Sequence, residues 1–281
     1  MAGIVEIVLI ILTIGIALIA LFTSIGNMTF KQKVKKEVKE ILMKSRGASR
    51  DLVIEEDIKE LPEPVQRYLR YIQIIGKEKI RTVRLKQKGF FRQKENQKWM
   101  PFKAEQYYTT NPPASIWFGK INPLPFFSIK ARDMYFEGKG NMLIKLQSLF
   151  TIADAKGKEM DEATLVRFLN ESFWFPTVYL NNYIRWETID ANSAKAIITD
   201  QGVSASAILY FNEKGEMINF VAERFITTEK QYAKWSTPIK RYKELNGIRI
   251  PTEGEGIWHL SSGDFSYIRL EITEVEYNHP L

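Results

Sequence analysis

An uncharged run of 19 residues, Ile7 to Ile25, limits what this chain can fold into more than any other feature. As an α-helix the run is about 28 Å long at ~1.5 Å per residue, close to the ~30 Å hydrocarbon core of a bilayer. A cleaved signal peptide is the main alternative, and it carries a basic n-region and a small-residue cleavage site. Here Glu6 precedes the run and no such site follows it. We therefore predict a retained, single-pass transmembrane helix over residues 4–25.

The segment after this run is strongly basic. The chain has a net charge of +7, and eight Lys and Arg residues against two Glu lie between residues 26 and 50. The remainder is almost neutral, so the charge does not predict a nucleic-acid partner. We predict a juxtamembrane segment over residues 26–54 that, with Ile7–Ile25, contacts membrane lipid. Its apolar residues recur as a helical stripe of Val34, Val38, Ile41 and Leu42.

The side of the membrane on which the rest of the chain lies is left open. The positive-inside rule favours the cytoplasm.

From residue 80 onward the apolar residues alternate with a period of two, which predicts β-strands. Turn sequences such as 212–215, 246–247 and 261–263 separate several of them. The predicted strands are 80–93, 98–110, 114–121, 126–137, 141–153, 183–189, 194–200, 204–212, 218–228, 239–245, 249–259 and 265–275. Strands in sequence with tight turns indicate a mainly β (α+β) domain over residues 55–281. We expect a curved antiparallel sheet or open barrel packed around one or two helices.

Two helices are predicted within this domain, at residues 61–75 and 161–174. Pro64 suits the first turn of the earlier helix, and Gly76 is a suitable C-cap. Asp161 is a suitable N-cap of the later helix, and Pro176 ends it.

Two arginines lie on apolar strand faces. Arg132 shares a face with Met134 and Phe136, and Arg224 shares one with Phe220, Ala222 and Ile226. A buried arginine requires a carboxylate partner or an anionic group of a ligand. The alternative partners are Asp154, Glu171 and Glu223. The predicted ligand-binding residues are Arg132, Asp133, Arg224, Trp174 and Trp235, with the tryptophans as part of an aromatic cavity lining.

The sequence contains few of the residues that catalytic or metal sites require. The chain has no cysteine and two histidines, His259 and His279. No metal-ligand spacing is present, so we predict no metal, no cofactor and no assigned catalytic residue. A hydrolase that uses Asp133, Asp154 or Glu171 stays open as one alternative, and a structural or assembly protein at the membrane as another.

Several long segments carry a family resemblance: LPEPVQRYLRYI, WMPFKAEQYYTTNPPASIWF, KARDMYFEGKGNM, DEATLVRFLNESFWFP and KWSTPI. Through them the chain, from about residue 61 to 278, resembles an uncharacterised bacterial family of membrane-anchored proteins of unknown function. That resemblance implies no activity.

At the level of topology the chain is similar to half-barrel lipoprotein-carrier domains of the LolA and LprG type. This similarity implies a curved sheet around helices, an acyl-chain ligand in the concavity and a location outside the cytoplasm. Our leading hypothesis is a membrane-tethered protein that binds a lipid or other hydrophobic ligand in a cavity of about 300–1,000 Å³ between sheet and helix.

Overall fold

The computed structural model describes residues 2–45, 51–125 and 127–278. Its three α-helices are α1 (Ala2–Lys44), α2 (Glu63–Tyr71) and α3 (Lys158–Glu171). Its strands are β1 (Thr82–Phe91), β2 (Met100–Thr110), β3 (Pro113–Leu124), β4 (Phe127–Phe136), β5 (Lys139–Leu146), β6 (Phe150–Ala155), β7 (Ile184–Asp190), β8 (Ser193–Asp200), β9 (Val203–Phe211), β10 (Met217–Ile226), β11 (Gln231–Ser236), β12 (Ile239–Leu245), β13 (Ile248–Leu260) and β14 (Gly263–Tyr277).

One antiparallel sheet contains all of these strands. Its order is β6-β5-β4-β3-β2-β1-β14-β13-β11-β10-β9-β8-β7, and β12 pairs with β13 off this path. The sheet curls around α3, because this helix packs against β4 and β5 from one half and against β9 and β10 from the other. The side that holds α3 is the concave side, and the opposite side is the convex side. The predicted fold class, a curved antiparallel sheet around few helices, is confirmed.

Two strand predictions were wrong. Residues 141–153 form two strands rather than one, because Gln147 and Ser148 adopt positive φ values of 49° and 60° and turn the chain between β5 and β6. The strand β11 was missed altogether, since its exposed, polar first half gives no alternating apolar pattern. The start of the strand predicted at residue 126 lies outside the described residues.

Both predicted domain helices exist with different ends. The helix α2 ends at Tyr71 with Ile72 as its C-cap, four residues before Gly76. The helix α3 begins at Lys158 after Gly157. Asp161 is therefore not the N-cap that we predicted. Its carboxylate instead accepts a hydrogen bond from the Gly140 backbone N–H at 2.7 Å and so ties the helix to β5.

The helix α3 also ends earlier than predicted. Its last residue is Glu171, a short 3₁₀ turn follows at Ser172–Trp174, and a second one begins at Pro176.

The N-terminal helix α1 has two different halves. Residues 3–25 are exposed almost all round, and α1 is, by length and composition, the one helix of the described residues suited to cross a membrane. The helix does not stop at residue 25. Its second half packs on the convex side of the sheet through Phe30, Val34 and Ile41, with Val38 and Leu42 partly buried. The basic segment is thus an extension of the same helix, and residues 46–50 of that segment lie outside the described residues.

Contacts at both ends of this second half show that α1 runs in the same direction as β4, while its backbone packs mainly over β2 and β3. The Lys130 Nζ donates to Asn27 Oδ1 at 2.6 Å near the start of β4. Lys44 pairs with Glu137 just past its end. The two spans between these contacts have the same length. From Asn27 to Lys44 the helix rises about 25 Å, and from Lys130 to Glu137 the strand rises about 23 Å.

Candidate ligand-binding site

The strand β4 separates two buried environments. Arg132 lies between Phe118 and Leu143 of the neighbouring strands, on the convex side that α1 covers. Asp133 lies between Trp117 and Met142 on the concave side. Successive residues of a strand point to opposite faces, so the two adjacent charges enter different parts of the molecule.

On the convex side, Arg132 belongs to the interface with α1. Its Nε lies 3.2 Å from Glu37 Oε2, and its Nη1 donates to the Asn141 carbonyl at 3.0 Å. Met134 and Phe136 pack on the same side, as predicted. The partner is Glu37, and not one of the three carboxylates we considered, because the sequence does not show that α1 returns along the sheet. Arg132 therefore falls outside the ligand set that we propose below.

A cavity of about 200 Å³ lies on the concave side between the sheet and α3. Its walls come from β1–β5, α3 with the 3₁₀ turn that follows it, β10, β11, β13 and β14, and they are mostly aromatic and aliphatic. The apolar walls include Phe91, Phe102, Trp117, Ile129, Ile144 and Trp174. The cavity is where we expected it, and its volume is below the 300–1,000 Å³ range that we predicted.

An ion-pair network forms the polar wall of this cavity. Arg167 of α3 donates from Nη1 to Asp133 Oδ2 at 2.7 Å and from Nε to Glu171 Oε1 at 2.8 Å. The other Glu171 oxygen accepts from Gln106 Nε2 at 2.7 Å and from the Tyr108 hydroxyl at 2.9 Å.

The same network shifts the pKa values of its members. Burial alone lowers the pKa of Arg167, but the charges of Glu171 and Asp133 outweigh it and raise the pKa above its usual value. Burial, followed by the charge of Glu171, raises the pKa of Tyr108. Arg167 therefore stays charged and Tyr108 neutral at any physiological pH.

Four polar atoms at this cavity are buried without a hydrogen-bond partner among the described residues. They are Asp133 Oδ1, Asn170 Nδ2, Trp235 Nε1 and Thr237 Oγ1, and all four residues line the cavity. A buried polar atom without a partner costs about 1–3 kcal/mol. The four residues that carry these atoms all border this one cavity.

Arg224 forms the cationic end of the cavity. Its guanidinium lies over the rings of Trp235 and Trp258, 4.7 and 5.7 Å from their centroids, and its Nε donates to the Ala163 carbonyl at 3.2 Å. The side chain is buried, and no carboxylate of the described part of the chain lies within ion-pair distance. As predicted, Arg224 shares its buried face with Phe220 and neighbours in alternate positions of β10.

Four of the five predicted ligand-binding residues line the same cavity: Asp133, Trp174, Arg224 and Trp235. Of the carboxylates considered for catalysis, Asp133 and Glu171 meet at Arg167, whereas Asp154 does not line this cavity. Asp154 lies at the edge strand β6, where a hydrogen bond from Asn141 and then one from Lys156 lower its pKa.

Sequence reasoning missed Arg167, Asn170 and Thr237. The spacing of Arg167 and Glu171, four residues apart on a helix, is the signal that predicts their pairing. Neither Asn170 nor Thr237 carries a comparable signal, since the curl of the sheet is what brings them to the cavity.

A separate hydrogen-bond chain joins Ser236, His259 and Asp264. Ser236 Oγ lies 2.8 Å from His259 Nε2, and His259 Nδ1 lies 2.6 Å from Asp264 Oδ1. These residue types are those of a hydrolase triad. Ser236 is only 3% exposed, however, and it does not line the concave cavity. These hydrogen bonds join the strands β11, β13 and β14. His279 lies outside the described residues.

These observations define a half-barrel with a concave cavity and an attached apolar helix. The chain belongs to a family of unknown function, DUF6544, whose match spans residues 51–270. Solved structures that are similar to it include the LolA superfamily protein NE2245 from Nitrosomonas europaea. That likeness has 9% identity and a TM-score of 0.39, and it covers 77% of this chain and 94% of the other. A search of curated proteins gave no match.

Proposed function

We propose that this chain is a membrane-anchored protein that binds a lipid or another hydrophobic ligand in the concave cavity. The observation that carries the proposal is the coincidence of apolar walls with four buried polar atoms without protein partners. A cavity that served only packing would lose stability by keeping those atoms there. A ligand with a hydrophobic body and a polar group satisfies both parts of the site.

Arg224 supports an acidic polar group on that ligand. Its guanidinium is buried over two tryptophan rings without a carboxylate partner among the described residues, and such a cation favours a carboxylate or phosphate. Trp235, whose ring lies under the Arg224 guanidinium, carries a further donor without a described partner, Nε1. Asp133 and Glu171 are already held by Arg167, so we do not propose that they act in catalysis.

The helix α1 supports the membrane anchor. Residues 7–25 carry no charge and present apolar side chains on every face, which suits lipid and not water. The basic half of α1 and the sheet lie on the same side of that segment, so they face the same compartment. The positive charge favours the cytoplasm, and protease treatment of intact cells tests this.

Native mass spectrometry of the full chain extracted in mild detergent tests ligand binding. The wild-type protein is expected to carry an additional mass of a lipid or fatty acid. Ile144→Trp fills the cavity and is expected to lose that mass, whereas Ile189→Trp makes the same change at an exposed position of the edge strand β7 and is expected to keep it. Equal ligand occupancy in the two variants would refute binding in this cavity.

A further inference from the structure

The position of α1 fixes which edge of the sheet lies nearest the membrane. Gly26 directly follows the apolar run, and a Cβ there would lie 2.8 Å from Leu149 Cδ2 and 3.0 Å from the Ser148 carbonyl oxygen. Asn27 Oδ1 accepts hydrogen bonds from Ser148 Oγ and Lys130 Nζ, both at 2.6 Å. The β5–β6 turn is therefore level with the point where α1 leaves the apolar segment. The β3–β4 turn lies at the same end of these antiparallel strands, and we call this end the proximal edge.

Exposed apolar side chains project from the proximal edge. We call Leu124, Phe127, Phe150 and Ile152 the apolar rim. Leu124 and Phe127 face each other at the β3–β4 turn, and Phe150 begins β6 opposite Leu146. Each is more than half exposed, with Phe150 at 67%. Large apolar side chains grouped at one end of a soluble surface indicate a contact with another apolar phase.

A row of lysines crosses the convex side of the sheet just behind this rim. The register places Lys88 opposite Lys103, Lys103 opposite Lys120, Lys120 opposite Lys130, and Lys130 opposite Lys145. We call these five residues the lysine row. Like charges directly opposite each other destabilise a sheet. Only Lys88 has an ion-pair partner among the described carboxylates, Glu271 at 3.1 Å.

The lysine row is electrostatically strained. Burial, followed by the charges of Lys120 and Lys31, lowers the pKa of Lys130. An anionic surface beside the row would relieve this repulsion. The distance between the lysine row and the apolar rim also suits a membrane surface. Phe127 of the rim is three residues from Lys130 of the row, or about 10 Å along an extended strand. A rim buried ~5–10 Å into the headgroup boundary would leave the lysines at the level of the lipid phosphates.

The apolar part of the concave cavity lies toward the same edge. Ile121 and Ile129 face each other near the β3–β4 turn and line the cavity, as does Ile144 near the end of β5. The polar wall around Asp133 lies farther from the proximal edge along β4, and Arg167 pairs with it there. The cavity therefore changes from apolar to polar with distance from the membrane.

We propose that the proximal edge is a second membrane contact, in which the apolar rim enters the same bilayer as α1 and the lysine row binds its anionic lipid headgroups. The contact rests on the anchoring part of the proposed function. It would place the apolar end of the cavity next to the lipid acyl chains, so that a ligand passes between bilayer and cavity without crossing water.

Single cysteine variants of the full chain test this contact, since the natural sequence has no cysteine. A nitroxide label is attached at Ile152→Cys in the rim, at Ile189→Cys on the opposite edge strand β7, and at Ile14→Cys in the apolar run. The first two positions are similarly exposed, at 57% and 48%. Each protein is reconstituted into vesicles with and without phosphatidylglycerol, and collisions with oxygen and with a water-soluble nickel complex report the depth of the label.

We expect the labels at positions 14 and 152 to be protected from nickel and accessible to oxygen, and the label at position 189 to be accessible to nickel. A buried label at position 14 with an aqueous label at position 152 would refute the contact and leave the anchor intact. An aqueous label at position 14 would refute the anchor itself. Neither result depends on whether the cavity holds a ligand, which native mass spectrometry tests separately.

Charge reversal tests the lysine row. Lys103→Glu with Lys120→Glu changes two exposed members of the row that lack ion-pair partners in the described part of the chain. Lys214→Glu with Lys243→Glu makes the same change in charge away from the proximal edge, in the β9–β10 turn and at an exposed position of β12. We expect the ratio of buried to aqueous label at position 152 to fall about fivefold per lysine in the first variant, and only with phosphatidylglycerol present. Equal ratios in the two variants would refute headgroup binding by the row.

Discussion

The two sides of β4 each bury an arginine–carboxylate pair, but they do so in opposite surroundings. On the convex side, α1 closes over Arg132 and Glu37, and the nearby cavity of about 210 Å³ between α1, β2 and β3 is bordered by exposed lysines of α1. On the concave side, Arg167 holds Asp133 and Glu171 beside an open cavity with unpartnered polar atoms. The convex pair joins α1 to the sheet, because its two atoms without hydrogen bonds, Arg132 Nε and Glu37 Oε2, face each other as an ion pair. The four such atoms at the concave cavity have no partner of opposite charge among the described residues. This difference is the physical basis for placing the ligand on one side only.

The largest expected effect is the loss of stability on removing one member of the convex pair. Arg132→Met removes the buried partner of Glu37 and leaves it only the exposed Lys33 at 3.0 Å, which costs about 3 kcal/mol. Glu37→Met combined with Arg132→Met is expected to recover most of this loss, because no unpaired charge remains. Thermal unfolding in detergent measures both, and the ligand mass should persist in the double variant. If the single variant were as stable as the wild type, the pair would not hold α1 to the sheet.

The next effect concerns the cation on the concave side. Arg224→Gln removes the charge and is expected to weaken the binding of an acidic amphiphile about tenfold or more, with little change for its neutral ester. Competition between a fatty acid and its methyl ester, followed by native mass spectrometry, measures the preference. Arg185→Gln, at an exposed position of β7, is the control. A parallel loss of acid and ester would show that Arg224 only supports the cavity wall.

A smaller effect of opposite sign is expected at the lysine row. Lys120→Thr removes a like charge that faces Lys103 and Lys130 across the strands. We expect the free energy of unfolding to rise by about 0.2–1 kcal/mol. Chemical denaturation in neutral detergent, without anionic lipid, measures this. A decrease would show that the lysines stabilise the sheet and are not held there for an external anion.

The smallest effect is a change in acid stability at Glu255, a residue of the cavity wall. Burial raises its pKa, but hydrogen bonds from Ser266 and Arg269 outweigh burial and lower the pKa below the usual 4.5. The carboxylate therefore contributes stability that is present above about pH 4.5 and is lost as the pH falls through the lowered value. Glu255→Gln should make thermal stability less dependent on pH below 4.5. An unchanged acid slope would contradict this assignment.

Sequence patterns were sufficient for the fold class and for most strands, because alternation and turn residues act locally. They were also sufficient to single out Arg132 and Arg224 as charges on apolar faces. These patterns did not indicate which of the two arginines lies on the concave side of the sheet and which on the convex side. The return of α1 along the sheet brings Glu37 to Arg132, and the curl of the sheet brings α3 to Asp133. Both are long-range contacts without a local signal.

The predicted N-cap of α3 also shows that local sequence patterns do not reveal tertiary contacts. Asp161 has the residue type of an N-cap, but its carboxylate bonds Gly140 of another element, where the absence of a side chain lets α3 approach closely. Local propensity and tertiary contact compete for the same side chain, and the tertiary contact determines its role.

Photo-cross-linking with a diazirine-labelled fatty acid tests the central claim most directly. The full chain is labelled in membranes, and the modified peptides are identified by mass spectrometry. Ligand binding on the concave side predicts adducts on the cavity-lining residues of β4, β5 and α3, in addition to those on α1, and excess unlabelled fatty acid should remove the adducts on the cavity residues. Adducts confined to α1 and the apolar rim, with none on the cavity wall, would contradict the account.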